Sequence, residues 1–275
     1  MSDLKIGLQL YSVRDKMEKD MDATLKAVKE MGYDCVEMAG YFDKSAEEIR
    51  AMLDKYGIEC ISAHQGLPFY EEKGVEGAEF VKKLGAKYSV IPWYEKEEFH
   101  NDLNEQIELF ERMGKFLKDN GLQMLYHNHD FEFVPINGEL IIDQLYTRVS
   151  KEYLNPEFDT CWIKYAGYEP TEYLDKYKGR IDIVHIKDFW CTKMGGGPVY
   201  ALIDENGNEI KNDNKEDNKF EFRPVGYGLQ DVKAIVEASI KAGAGYLIVE
   251  QDNSYDNDSL ENAKKSRDYL KSIGY

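Results

Sequence analysis

Eight times along the 275-residue chain a short apolar run gives way to a stretch whose apolar positions recur at helical spacing. The runs predict strands at Lys5–Ser12, Cys35–Gly40, Cys60–Gly66, Tyr88–Tyr94, from Gln123 onward, Glu157–Ile163, Ile181–Phe189 and Tyr246–Asp252. Between them, Asp22–Met31 sets Leu25, Val28 and Met31 on one stripe. Ser45 with Glu48 three residues on reads as a capping box opening a helix to Tyr56. Further helices are predicted at Gly74–Leu84, Asn101–Asn120 with Gly121 as its stop, Glu139–Val149, after Pro170, at Gln230–Ala242 and at Ser259–Ile273. Strict alternation of strand and helix calls for parallel strands joined by crossover helices. Eight such units at this length predict an α/β fold: a single (β/α)8 TIM barrel over residues 1–275. No glycine-rich phosphate loop follows the first strand, which disfavours an open nucleotide-binding sheet.

One segment breaks the rhythm. Residues 190–228 make the connection from the seventh predicted strand to its helix far longer than an ordinary βα loop, a candidate lid or partner surface. Within it VYALIDENGNEI (199–210) alternates about an Asn-Gly turn and predicts a hairpin, and Gly195–Gly197 suits a hinge.

Composition narrows the function. The net charge of -17 makes a polyanion such as DNA an unfavourable partner. No apolar run is long enough to cross a bilayer, and the N-terminus lacks the apolar core of a signal peptide. Cys35, Cys60, Cys161 and Cys191 are scattered without a CxxC, which predicts reduced thiols and a cytoplasmic protein.

Candidate chemistry concentrates where the predicted strands finish, the end of a (β/α)8 barrel that carries function. Reading in order gives Glu37, His64, Trp93, His127 with His129, Asp159, His185 with Lys187, and Glu250 with Asp252. In QMLYHNHDFEF (123–133) the two histidines stand two apart and so share a strand face. Asp159, His185, Glu250 and a strand-five donor make a mixed nitrogen–oxygen set suited to a divalent transition metal rather than an all-oxygen cage. Lys187 can donate to a substrate oxygen or pair with Asp159 or Glu250. His64 reads as a substrate contact or a hydrogen-bonded core histidine. Trp93 and Trp162 can stack on sugar faces or simply pack. Arg223 can bind substrate or close the loop onto acidic residues, and Glu37 reads as structural.

LYHNHDFEF (125–133), FDTCW (158–162), VHIKDF (184–189), VGYG (225–228) and IVEQD (248–252) together resemble the sugar phosphate isomerase/epimerase group of xylose-isomerase-like barrels, whose superfamily includes the type IV apurinic endonucleases. The resemblance spans essentially the whole chain. It implies one divalent metal, manganese first and zinc, cobalt, iron or magnesium as alternatives, with Asp159, His185 and Glu250 as ligands. His127 stands where the group has a glutamate, which removes one of two catalytic carboxylates. Glu132 is a candidate substitute. The implied chemistry is α-proton abstraction by Glu250 with an enediolate held by the metal, His129 and Lys187. Isomerisation or epimerisation of a sugar, keto-sugar or inositol derivative is the first expectation. A lyase acting by β-elimination, as in 3-keto-glycoside or C-glycoside cleavage, is the alternative, and a non-catalytic sugar-binding barrel the third. The resemblance implies a small carbohydrate substrate, and the net charge disfavours nucleic acid. A homodimer, or a partner subunit over the 190–228 loop, is expected by resemblance only.

Overall fold

The computed structural model describes residues 4–195, 219–255 and 257–275. Eight parallel strands close on themselves: β1 (Lys5–Gln9), β2 (Cys35–Ala39), β3 (Glu59–His64), β4 (Tyr88–Ile91), β5 (Gln123–His127), β6 (Leu154–Asp159), β7 (Ile183–Ile186) and β8 (Tyr246–Val249). Each pairs with its sequence neighbours, and β8 returns to β1 with Gly7 opposite Ile248. Helices α1 (Met21–Met31), α2 (Ala46–Tyr56), α3 (Val75–Lys83), α4 (Leu103–Asp119), α5 (Ile141–Arg148), α6 (Pro170–Lys176), α7 (Val232–Ala242) and α8 (Ser259–Ser272) follow the strands in turn. The predicted TIM barrel is the observed fold.

Local signals set the helix ends. The Ser45–Glu48 box forms in full at the start of α2, and Asp20, Asp102, Asp231 and Asp258 each cap a helix through their carboxylates. Gly121 takes φ +83° just beyond α4, where only glycine is unstrained.

The strands are shorter than their apolar runs suggest. After Gln9 the chain turns into a 3-10 segment, Leu10–Val13. The run Glu157–Ile163 is two elements, because Asp159 accepts hydrogen bonds from the Cys161 and Trp162 amides and starts a helix, Thr160–Tyr165. Likewise Ile181–Phe189 ends as barrel strand at Ile186, and Asp188–Cys191 pairs antiparallel with Phe220–Arg223 in a separate ribbon. Phe189, Cys191 and Phe222 on that ribbon bury against Cys161, Trp162 and Tyr165 in their own apolar cluster. The hairpin predicted at 199–210 lies outside the described residues, as does most of the insertion.

The interior is built in layers because alternate residues of every strand point inward. Cys35, Ile61, Val90, Leu125, Ile183 and Ile248 make an apolar floor. Gly7 completes it, since a Cβ there would collide with the side chains of Ile248 and Cys35. Two residues further along come Gln9, Glu37, His127, His185 and Glu250, and two further again His129, Lys187 and Asp252. On β6 the same step joins Glu157 to Asp159.

Asp188, outside the barrel's polar interior, ties the insertion down. Its carboxylate accepts from the backbone N–H groups of Phe189, Gly226, Gly228 and Gln230 at 2.9–3.1 Å. A Cβ at Gly228 would strike that carboxylate, and one at Gly226, where φ is +90°, would strike the Tyr269 ring. The VGYG motif is therefore a backbone clamp. Asp188→Ala is expected to cost about 2 kcal/mol in a urea titration by orphaning these donors. A change below about 0.5 kcal/mol would mean that water replaces the carboxylate without loss.

Candidate active site

Two clusters of ionisable side chains, here called outer and inner, sit at the mouth of the barrel, and His185 belongs to both. The outer cluster gathers His127, Asp159, His185 and Glu250 from four strands, with one donor atom of each inside a 4.8 Å sphere of mutual separation. Nε2 of His127 lies 3.3 Å from Asp159 Oδ2 and 3.4 Å from Glu250 Oε2, and His185 Nδ1 lies 2.9 Å from Glu250 Oε2. Lys187 reaches into the same space: its Nζ is 3.0 Å from Asp159, 2.9 Å from Glu250 and 3.0 Å from Asp252. The inner cluster holds Glu37, His64, Glu157 and the other nitrogen of His185.

Charge explains the proton positions. Burial works against an ammonium at Lys187, but Asp159, Asp252 and Glu250 outweigh it and hold its pKa well above the ordinary value. Burial likewise opposes charge on Glu250, yet Lys187, His185 and His127 keep it ionised, with its pKa far below the usual range. Asp252 differs: burial, together with its acidic neighbours, pushes it up to about 6 against the pull of Lys187. His129 is neutral because burial and the charges of His127 and Lys187 hold its pKa far down. Its ring centroid lies 4.6 Å from Trp93, 5.6 Å from Trp162 and 5.6 Å from Phe131, in an aromatic wall.

The donor set fits a divalent cation. Among the described residues, His127 Nδ1 is buried with no hydrogen-bond partner, while buried His127 Nε2 meets only the carboxylates of Asp159 and Glu250, and Asp159 Oδ2 only that imidazole and the Lys187 ammonium. Such atoms are costly unless something binds them. Two imidazoles and two carboxylates match zinc, manganese, cobalt or iron in hardness and charge.

His127, Asp159, His185, Glu250, His129 and Lys187 come together as their strand positions predict. Trp93 stands at the rim, 36% exposed, against His129. Others land elsewhere. His64, expected to meet substrate, is held between Glu37 (2.8 Å) and Glu157 (3.0 Å) in the inner cluster. Trp162 is 2% exposed and packs against Phe220 and Phe222, though its ring also lies 5.3 Å from the Lys187 ammonium. Arg223 pairs with Glu221, two residues back on its own ribbon strand. Glu132 does not swing into the site, because Tyr126 Oη donates to one of its carboxyl oxygens and the His129 amide donates to the other. Glu37, read as structural, and Glu157, passed over altogether, belong to the polar interior. The signal for Glu157 was its two-residue step from Asp159.

The family model described as xylose isomerase-like TIM barrel matches residues 25–273. An inosose dehydratase of Mesomycoplasma hyopneumoniae is 27% identical over an alignment covering 99% of this chain and 97% of its own, and that of Geobacillus kaustophilus is 27% identical over 61% of each chain. Among solved structures, a sugar phosphate isomerase/epimerase of Parabacteroides distasonis superposes with a TM-score of 0.76 at 24% identity, covering 98% of both chains. An IOLI protein with a bound zinc atom shares the fold at 15% identity, TM-score 0.69, over 98% of both chains. Among the described residues no helix is long and apolar enough to cross a membrane, and all four cysteines are buried and unpaired.

Proposed function

The chain belongs to the xylose isomerase-like TIM-barrel family, and on that premise we propose that it is a metal-dependent lyase removing water from a small keto-polyol of the inosose class. The relatives named as inosose dehydratases favour elimination over the isomerisation expected first from sequence. The observation that carries the reading is the outer cluster, where Lys187 lies within 3.0 Å of three carboxylates beside a four-donor cation set.

His127, Asp159, His185 and Glu250 would hold the metal, which when bound supplies Lewis-acid polarisation of a carbonyl and its neighbouring hydroxyl. The remaining steps belong to the chain. Lys187, fixed as an ammonium, donates to the carbonyl oxygen and stabilises the negative charge that gathers there when the α-carbon loses its proton. Glu250 is held too firmly as an anion by its cationic neighbours to be an effective base. Asp252, with a pKa of about 6, is ionised at neutral pH and close to the optimum for proton transfer. It takes the α-proton on a carboxylate oxygen and returns it to the β-hydroxyl, which leaves as water as the C=C bond forms. Neutral His129 hydrogen-bonds the departing oxygen, and Trp93 at the rim, backed by Phe131, offers an apolar face to ring C–H groups and excludes water.

Incubation with an inosose and Mn²⁺ or Zn²⁺ in heavy water tests the assignment. A product lighter by one water is expected by mass spectrometry. An isomer of unchanged composition carrying solvent deuterium would return the reading to an isomerase. An unreacted ketone bound to the protein would favour the sugar-binding barrel.

A further inference from the structure

We propose that the barrel carries a second divalent-cation site, sharing His185 with the outer cluster, with Glu37, His64, Glu157 and Nε2 of His185 as its ligands. This inference goes beyond the lyase assignment and does not depend on it.

Four donor atoms from four strands converge there. His64 Nε2 lies 2.8 Å from Glu37 Oε1 and 3.0 Å from Glu157 Oε2, and His185 Nε2 lies 2.7 Å and 3.2 Å from the same two oxygens. The two imidazole rings are stacked, 10° from parallel with centroids 5.3 Å apart, so both nitrogens face the same gap. A tetrahedral ion with bonds of about 2.0–2.1 Å needs its ligand atoms roughly 3.3 Å apart. Small side-chain rotations supply the difference.

The distribution of contacts points to an ion rather than to a hydrogen-bonded network built for its own sake. Two carboxylates offer four oxygens, and a self-sufficient network would use all four. Here Glu37 Oε1 alone meets His64, His185 and Gln9, the last at 2.7 Å, and Glu157 Oε2 meets both histidines. The other oxygens, Glu37 Oε2 and Glu157 Oε1, are fully buried with no hydrogen-bond partner. Donors crowded onto one point with orphaned oxygens behind them match a cation's coordination sphere. Two carboxylates balance a dication with both imidazoles neutral, whereas without one the pair must keep protons on His64 and His185. No lysine ammonium contacts Glu37, His64 or Glu157 among the described residues, in contrast to the outer cluster. A set of two imidazole nitrogens and two carboxylate oxygens selects zinc or cobalt over magnesium or calcium. Gln9 then serves as the outer-shell donor that orients Glu37. Entry is over His64, whose side chain is 9% exposed while those of the two glutamates are fully buried.

His185 links the sites. A neutral imidazole has one lone pair, so ligation through Nε2 leaves Nδ1–H donating to Glu250 at 2.9 Å. The inner ion therefore weakens the outer site by one ligand, and the two compete.

Cobalt titration of the chelator-stripped protein, followed by metal analysis and visible absorption, decides the matter. The Asp159→Asn variant, with its outer set broken, is expected to bind one equivalent of Co²⁺ with the intense absorption of tetrahedral geometry. The Asp159→Asn, Glu157→Gln double variant is expected to lose it by more than the roughly hundredfold that removal of an outer-shell partner costs. Cobalt binding by the Glu157→Gln single variant reports the outer site alone. Its absence there, with binding kept in Asp159→Asn, would sink the lyase's metal site and leave the inner one standing. No cobalt in folded Asp159→Asn, or equal binding with and without Glu157→Gln, would overturn the inner site. Anomalous difference density from cobalt-soaked wild-type crystals places the ion independently of any variant's folding.

Discussion

Lys187→Met is expected to lower kcat by about a thousandfold and, in the same protein, to tighten divalent-cation binding. The first effect follows from the proposed elimination. Charge develops on a carbonyl oxygen, and Lys187 is a fully buried ammonium fixed by Asp159, Glu250 and Asp252 in the space where that oxygen must sit. A preorganised donor of this kind contributes about 3–4 kcal/mol to the transition state. The second effect has the opposite sign because the ammonium and a metal ion draw on the same carboxylates. Removing one positive charge leaves three anions that only a cation or protons can neutralise. A merely structural lysine would instead lose stability and metal affinity together, without a selective fall in kcat. Pre-steady-state turnover together with a metal dissociation constant separates these outcomes. Turnover within tenfold of wild type would remove Lys187 from the chemistry.

Much of this arrangement is legible in the chain, for a reason that also explains what is not. Apolar runs fix where strands lie, and the two-residue period carries each floor residue to its polar successor. Leu125 leads to His127 and His129, Ile183 to His185 and Lys187, and Ile248 to Glu250 and Asp252. Ends of strands are harder, because an apolar run does not distinguish extended chain from a short buried helix. Thr160–Tyr165 is helical because Asp159 caps it, and its burial against the Asp188–Cys191 and Phe220–Arg223 ribbon keeps it as apolar as a strand. The inner cluster escaped because one glutamate at a strand end is usually a cap or surface partner. Only closure of the barrel shows that Glu37 on β2 and Glu157 on β6, distant in sequence, face one another across His64 and His185. Reaction type is the least legible. Elimination and isomerisation share an enediolate, and what divides them is where the proton goes next.

Glu132→Gln should leave stability unchanged near pH 5 and raise it by about 4 kcal/mol near pH 9. Glu132 is fully buried behind β5, where burial pushes its carboxyl from 4.5 to about 8 against the help of Tyr126 Oη and the His129 amide. In the unfolded chain it titrates at its ordinary value, so between pH 4.5 and 8 the folded state binds the extra proton. Stability must then fall as pH rises through that window, since deprotonation drives the chain toward the state that favours the anion. Glutamine keeps the shape and accepts the His129 amide bond while its own amide faces the Tyr126 hydroxyl, but it cannot ionise. The difference between the two proteins isolates this one group from every other titration in the barrel. Urea unfolding at pH 5, 7 and 9 reads it directly, and at this chain length the gain at pH 9 amounts to a rise of about 8–12 °C in Tm. A variant equally destabilised at all three pH values would show that Glu132 is already an anion in the folded state, its charge sustained by the two donors that hold the His127–His129 loop in place.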